Sequence, residues 1–146
     1  MRYLGLDVGD RRIGVALSDE TQTLATGLET LERVGPRKDL RAIAELARRH
    51  AVGEVVVGLP RNMDGSLGPR ARRALELMDA LRPRLEVPVV AWDERLTSVV
   101  ATQALIEAGV SRKGRRGAVD KVSAVLILQN YLDYRKLAVA EKRDSA

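Results

Sequence analysis

Three acidic residues occupy positions where secondary structure alone does not require a charge. Asp7 lies inside the first hydrophobic run, Glu94 follows the last predicted strand, and Asp120 precedes a long apolar segment. Asp is among the residues that β-strands disfavour most, so the carboxylate at position 7 needs a functional explanation. Carboxylates that share one site also need a cation, because like charges at close range cannot all ionise.

Such a cluster favours metal-assisted hydrolysis. Mg²⁺ and Mn²⁺ prefer oxygen ligands, and two such ions about 3.5–4 Å apart can promote phosphodiester cleavage. We therefore predict that Asp7, Glu94 and Asp120 are catalytic residues that bind Mg²⁺ or Mn²⁺. Two structural alternatives stay open: Asp120 could complement a helix dipole, and Glu94 could pair with Arg95 or cap the next helix. Asp93 should not join the cluster, since adjacent strand residues point to opposite faces.

The composition of the 146-residue chain narrows the classes of function. It has no cysteine, which excludes disulfides, thiolate zinc sites and cysteine nucleophiles, and its one histidine, His50, has no apparent nucleophile nearby. The net charge of +5 favours polyanionic partners. With only 3% aromatic residues, a base-stacking platform is not expected. No apolar run approaches the roughly 20 residues of a membrane span, and the start lacks a signal-peptide pattern, so we expect a cytoplasmic protein.

Basic residues are concentrated directly before Asp120, in the segment "SRKGRRG" at 111–117. A charged loop is often only a solvated surface, but beside a metal cluster it would hold a phosphate backbone. Two further arginines stand one turn apart on a predicted helix. The predicted nucleic-acid-binding residues are Arg70, Arg73, Arg112, Lys113, Arg115 and Arg116.

Hydrophobic spacing predicts the elements that position these residues. We expect two strands around 3–8 and 13–17, a weaker strand within 22–31, and buried strands at 54–60 and 87–92. Helices are predicted up to about Arg49, over 71–81, from Thr97 or Ser98 to Gly109, and from about Val119 to Tyr134. Hairpin strands followed by alternating helices and strands indicate an α/β domain with a mixed sheet covered by helices. We assign it to residues 1–136, and expect 137–146 to be a polar tail that frays.

Four segments resemble the signature blocks of the YqgF family of Holliday junction resolvase-like proteins: "LGLDVGDRRIGVALSD", "VVGLPRNMDGSLGPRA", "WDERLTS" and "SRKGRRGAVDKVSAVLILQNYL". The resemblance implies a ribonuclease H-like fold, with three antiparallel strands followed by parallel ones in a five-stranded sheet. It also implies that Asp7, Glu94 and Asp120 are the metal ligands. RuvC-type resolvases carry a further acid where this chain has Ser123, so of two expected ions the second should bind more weakly.

These observations favour a metal-dependent endonuclease acting on branched DNA, with the four-way junction as the preferred partner. One alternative is a nuclease that matures the 5′ end of precursor small-subunit ribosomal RNA. A second is a nucleic-acid-binding protein without catalysis. The Asp-x-Gly of the first block also resembles phosphate loops of actin-like ATPases, but those need two domains. Because a junction requires two matched cuts, we expect a homodimer.

Overall fold

The structure is a computed structural model that describes residues 1–96 and 115–144, and the side chains of residues 1–95 and 121–139. Within these residues, five strands and three α-helices follow one another in the order βββαβαβα. They are β1 (Arg2–Val8), β2 (Arg12–Ser18), β3 (Ala25–Glu32), α1 (Pro36–Arg49), β4 (Val52–Leu59), α2 (Pro69–Leu81), β5 (Val89–Asp93) and α3 (Arg115–Asp144). Single 3₁₀ turns occupy Arg82–Arg84 and Glu94–Leu96. The helix predicted over 97–109 lies outside the described residues.

The strands form one sheet in the order β3-β2-β1-β4-β5. β1 is antiparallel to β2, and β2 to β3. On its other side β1 is parallel to β4, which is parallel to β5. The predicted mixed sheet is therefore confirmed. Because β1, β4 and β5 run the same way, residues at their C-terminal ends meet at one edge of the sheet.

The two faces of the sheet bury different side chains. Alternate residues of β1, such as Leu4 and Leu6, pack with α1 and α2 in the larger hydrophobic cluster. The opposite face carries Tyr3 and packs with α3 in a second cluster. Asp7 follows Tyr3 and Gly5 in this alternation, so its side chain belongs to the α3 face.

Helix α3 packs directly against β1 at Gly5. A Cβ atom on Gly5 would lie 2.8 Å from the Cβ of Leu128 and 3.2 Å from the carbonyl oxygen of Ala124. Further along the helix, Arg135 donates a hydrogen bond of 2.7 Å to the hydroxyl of Tyr3. The helix therefore runs antiparallel to β1, and its N-terminal turns lie toward the end of β1 that carries Asp7.

The boundaries of α3 differ from the prediction at both ends. It begins at Arg115, so Arg115 and Arg116 belong to the helix and not to a loop. It continues to Asp144, whereas we predicted that the helix ends near Tyr134. Polar contacts hold the helix beyond its apolar stripe: Arg135 donates to Glu54 at 2.9 Å and Lys136 to Thr23 at 2.9 Å. None of the helices within the described ranges combines the length and apolar character needed to cross a membrane.

Candidate active site

Asp7 is held near the C-terminal end of the central strand. It lies opposite Gly14 of β2 in the antiparallel register, and only 11% of its side chain is exposed. A carboxylate in the middle of a sheet is rare because strands favour residues that pack on a half-buried surface. The burial of Asp7 therefore favours a carboxylate that binds a ligand over one that is a solvated surface charge.

The turn after Asp7 depends on a glycine. The N–H of Gly9 donates to the carbonyl oxygen of Arg12 at 2.8 Å. A Cβ atom on Gly9 would lie 2.8 Å from that same oxygen, so a larger residue would force the backbone apart. Arg33 reaches over from the end of β3 and donates to the carbonyl oxygen of Gly9 at 3.0 Å. These contacts fix the path of the chain directly beyond the carboxylate.

Glu94 begins the 3₁₀ turn that follows β5, and its carboxyl group lies over Gly58 of β4. A Cβ atom on Gly58 would lie 3.2 Å from the carboxyl carbon of Glu94 and would also clash with Ile127. Gly58 thus leaves the space that the Glu94 carboxylate occupies. Sequence reasoning missed this role of Gly58; the available signal was a glycine that interrupts the apolar run "EVVVGLP".

The environment of Glu94 is unfavourable for a negative charge. The pKa of Glu94 is raised from 4.5 to about 7, chiefly because burial disfavours the charged form. The negative charge of Asp7 adds to this rise and Arg70 opposes it. The Oε2 atom of Glu94 is buried and makes no hydrogen bond with the described residues. An unpartnered buried carboxylate oxygen next to a second carboxylate fits a bound cation.

Asp93 takes no part in this pair. Its carboxylate accepts hydrogen bonds from the side chain of Arg95, the shortest of them 2.7 Å. That bonding holds the pKa of Asp93 below its usual range. The alternative in which Glu94 pairs with Arg95 is therefore wrong, because the Arg95 side chain binds Asp93.

Two of the predicted phosphate-binding residues lie on α2 at the same edge of the sheet. The Nη2 atom of Arg70 lies 3.7 Å from Oδ1 of Asp7. Arg73, one turn later, forms an ion pair with Asp10 in the turn after β1. Arg70 is thus beside the acidic pair and Arg73 is beside the turn that follows β1, and each is partnered by a carboxylate.

The remaining predicted site residues are described only in part. Arg112 and Lys113 lie outside the described residues. Arg115, Arg116 and Asp120 are in α3, but their side chains lie outside the description. Among the described residues no group of three acidic or histidine side chains is arranged to hold a metal ion, and Asp120 is not among the side chains searched.

The backbone nevertheless places Asp120 at the right end of the helix. Ala124 lies over Gly5, and α3 runs antiparallel to β1. Asp120 precedes Ala124 by four helical residues, which is about 6 Å along the helix axis. Two strand residues from Gly5 to Asp7 advance about 6.8 Å in the same direction. The helical turn that contains Asp120 is therefore level with Asp7.

The sheet order and the helices on both faces of the sheet define an α/β protein with a RuvC-like fold. Over 94% of this chain and 96% of the other, the fold matches T. thermophilus RuvC in complex with a Holliday junction substrate, with a TM-score of 0.66. At 16% sequence identity this likeness concerns the fold alone. The predicted fold class is confirmed.

The chain belongs to the RuvX family, described as "Holliday junction resolvase", whose family profile matches residues 1–134. A protein of Halothermothrix orenii named "Putative pre-16S rRNA nuclease" is 53% identical over 135 residues, covering 92% of this chain and 96% of that protein. A protein of the same name from Desulforudis audaxviator is 50% identical over 136 residues, covering 93% and 96%. RuvX is the same family as the YqgF family that the sequence motifs resemble, so the predicted family is confirmed. The prediction that the protein is a nuclease enzyme is confirmed as well.

Proposed function

We propose that this protein is a divalent-metal-dependent endonuclease whose acidic site consists of Asp7, Glu94 and Asp120. The observation that carries the proposal is the buried, unpartnered Oε2 of Glu94 beside a second buried carboxylate. Two carboxylates with so little solvent, and with no described hydrogen bond at one oxygen, can both be fully ionised only when a bound cation compensates their charge beyond what Arg70 supplies. Oxygen-only donors suit Mg²⁺ or Mn²⁺.

The protein's own residues perform distinct tasks in this proposal. Asp7 and Glu94, with Asp120 from α3, hold the cation at the parallel edge of the sheet. When bound there, the ion supplies the Lewis acidity needed for phosphodiester hydrolysis. Arg73, together with Arg112, Lys113, Arg115 and Arg116 near the start of α3, holds the phosphate backbone against this edge.

Two substrates are supported by separate observations. The family description and the earlier sequence resemblance support a four-way DNA junction. The names of relatives that are about 50% identical to this chain support precursor 16S ribosomal RNA as the substrate, with cleavage at its 5′ end as the predicted alternative. Because those relatives match at much higher identity than the resolvase structure does, precursor RNA is a candidate of equal standing with branched DNA.

A parallel cleavage assay tests the proposal. Labelled four-way junction, linear duplex of the same sequence and a precursor 16S RNA fragment are incubated with Mg²⁺, Mn²⁺ or EDTA. We expect metal-dependent cleavage of the junction or of the RNA, and none with the Asp7→Asn protein. Cleavage that persists in EDTA, or in the Asp7→Asn protein, would contradict the metal site. Failure to cleave any substrate, with binding intact, would favour a binding protein without catalysis.

The oligomeric state separates the two substrates further. Resolution of a nearly two-fold symmetric junction takes two matched cuts, so we propose a two-fold homodimer for that activity. An RNA-trimming nuclease needs only one site. Light scattering at micromolar protein, with and without junction DNA, measures the difference. A monomer in both conditions, combined with efficient precursor RNA cleavage, would favour the ribosomal substrate.

A further inference from the structure

Arg70 lies where a cation is required and is itself a cation. Its Nη2 atom is 3.7 Å from the Asp7 carboxylate, and its side chain is 57% exposed. It also acts on the second carboxylate, since its positive charge lowers the pKa of Glu94 against the effect of burial. One guanidinium therefore offsets part of the charge of both acids.

The Arg70 contact has the geometry of an exchangeable ion pair. A charge-assisted hydrogen bond measures about 2.7–2.9 Å, whereas this pair is separated by 3.7 Å. Arg70 stands in the first turn of α2, directly after Pro69, so its backbone is fixed. The long, mostly exposed side chain can turn away from Asp7 without unfolding any element.

A divalent ion bound by Asp7 and Glu94 would repel the guanidinium. We propose that Arg70 is a positioning residue that pairs with Asp7 before the metal binds and turns to a substrate phosphate once the ion has replaced it. This inference rests on the proposed metal-dependent function. It goes beyond the prediction that Arg70 only contacts phosphate, because it makes metal binding and phosphate binding interdependent through one side chain.

Calorimetric titration with Mn²⁺ tests the first half of the exchange. Arg70→Gln should bind Mn²⁺ about three- to fivefold more tightly than the wild type, the range expected when an exposed competing ion pair is lost. Arg72→Gln is the matched control, because Arg72 is an exposed residue on the same helix and its loss gives the same change in net charge. It should change Mn²⁺ affinity less than twofold, and Arg70→Lys should resemble the wild type. A merely structural role for Arg70 would weaken Mn²⁺ binding instead.

Nucleic-acid binding with and without Ca²⁺ tests the second half. The probes are a labelled four-way junction and a labelled precursor 16S RNA fragment, each measured by fluorescence anisotropy. In EDTA, wild type and Arg70→Gln should bind within twofold of each other, because Asp7 holds Arg70. In Ca²⁺, the wild type should bind the nucleic acid at least about threefold more tightly than Arg70→Gln. Any loss of affinity in Arg72→Gln relative to the wild type should be the same in EDTA and in Ca²⁺.

The outcomes separate this inference from the proposed function. Equal Mn²⁺ affinities for Arg70→Gln and Arg72→Gln, in a wild type that does bind Mn²⁺, would overturn the exchange and leave the nuclease proposal intact. A wild type that binds no Mn²⁺ at millimolar concentration would overturn both.

Discussion

The carboxyl carbon of Glu94 lies 3.2 Å from the point at which a side chain on Gly58 would begin. Gly58 pairs with Trp92 of β5, two residues before Glu94, and belongs to the strand between β1 and β5. The gap above this glycine lets Glu94 approach Asp7 across an intervening strand. A residue without a side chain is therefore part of the acidic site.

Gly58→Ala should impair both the acidic site and the fold. The added methyl would displace Glu94 and crowd Ile127, with a loss of about 1–3 kcal/mol in the free energy of unfolding. We expect Mn²⁺ affinity and cleavage to fall at least tenfold. Gly53→Ala is the control on the same strand, since the three atoms nearest to its added methyl all belong to the side chain of Met1. Calorimetry that finds equal Mn²⁺ affinity in both variants would contradict this role for Gly58.

Neutralising each proposed ligand should stop turnover and spare binding. Asp7→Asn, Glu94→Gln and Asp120→Asn should each lower the cleavage rate at least about 100-fold, comparable to the loss of other transition-state electrostatic contacts. Junction or RNA affinity should change little, because the phosphate contacts are on other residues. Glu76→Gln, which neutralises an exposed acid of α2, should cleave normally. Single-turnover rates measure these effects, and near-normal cleavage by two of the three variants would refute the assignment.

The arginines at the start of α3 should contribute to the salt dependence of binding. With Arg115→Ala and Arg116→Ala together, the slope of log affinity against log salt should flatten by roughly one unit per lost phosphate contact. The matched control is Arg41→Ala with Arg84→Ala, whose positions line a groove with the start of β4, away from the acidic edge. Anisotropy titrations at several salt concentrations provide the slopes. Equal slopes in the wild type and the Arg115/Arg116 variant would assign these arginines to the solvated surface.

The raised pKa of Glu94 predicts how stability depends on pH in EDTA. The folded protein holds the Glu94 proton up to about pH 7, whereas the unfolded chain releases it near 4.5. This group therefore stabilises the folded state fully below pH 4.5, and that contribution is lost as the pH rises to 7. Glu94→Gln should gain stability relative to the wild type between pH 5 and pH 8, on the order of 1 kcal/mol after allowance for solvent screening.

Thermal unfolding in EDTA at the two pH values measures this difference. Adding Mn²⁺ should stabilise the wild type more at pH 8 than at pH 5, because the ion needs the deprotonated carboxylate. If the difference in stability between the wild type and Glu94→Gln stays constant with pH, the Glu94 carboxyl titrates like a solvent-exposed group and this prediction is contradicted.

The sequence was most informative where a residue conflicts with its local structure. A charged residue within a strand identified Asp7, and the end of a buried strand identified Glu94. Both are adjacent in space because parallel strands bring their C-terminal ends to one edge, which alternating elements predict. Gly58 could not be recognised in this way. Its importance depends on Ile127 and Glu94, which pack over it from elements far along the chain.

The partners of the charged residues could not be predicted from the sequence either. Arg70 and Arg73 carry the charge expected of phosphate-binding residues, but only the orientation of α2 reveals that Asp7 and Asp10 are beside them. The extent of α3 also depends on tertiary contacts. Among the side chains that the structure describes, Leu132 is the last buried apolar residue of α3, and no local sequence pattern predicts the hydrogen bond from Arg135 to Glu54.

The hydrogen bond between Arg135 and Tyr3 joins α3 to β1 across 132 positions of the sequence. A ribosome makes the chain from its N-terminus, so β1 emerges long before the helix that covers it. Until α3 is complete, the face of β1 that carries Tyr3 and Asp7 lacks the helix that covers it. The proposed acidic site is therefore assembled only after α3 has been made, and a chain released before Ala124 should be both inactive and prone to aggregate.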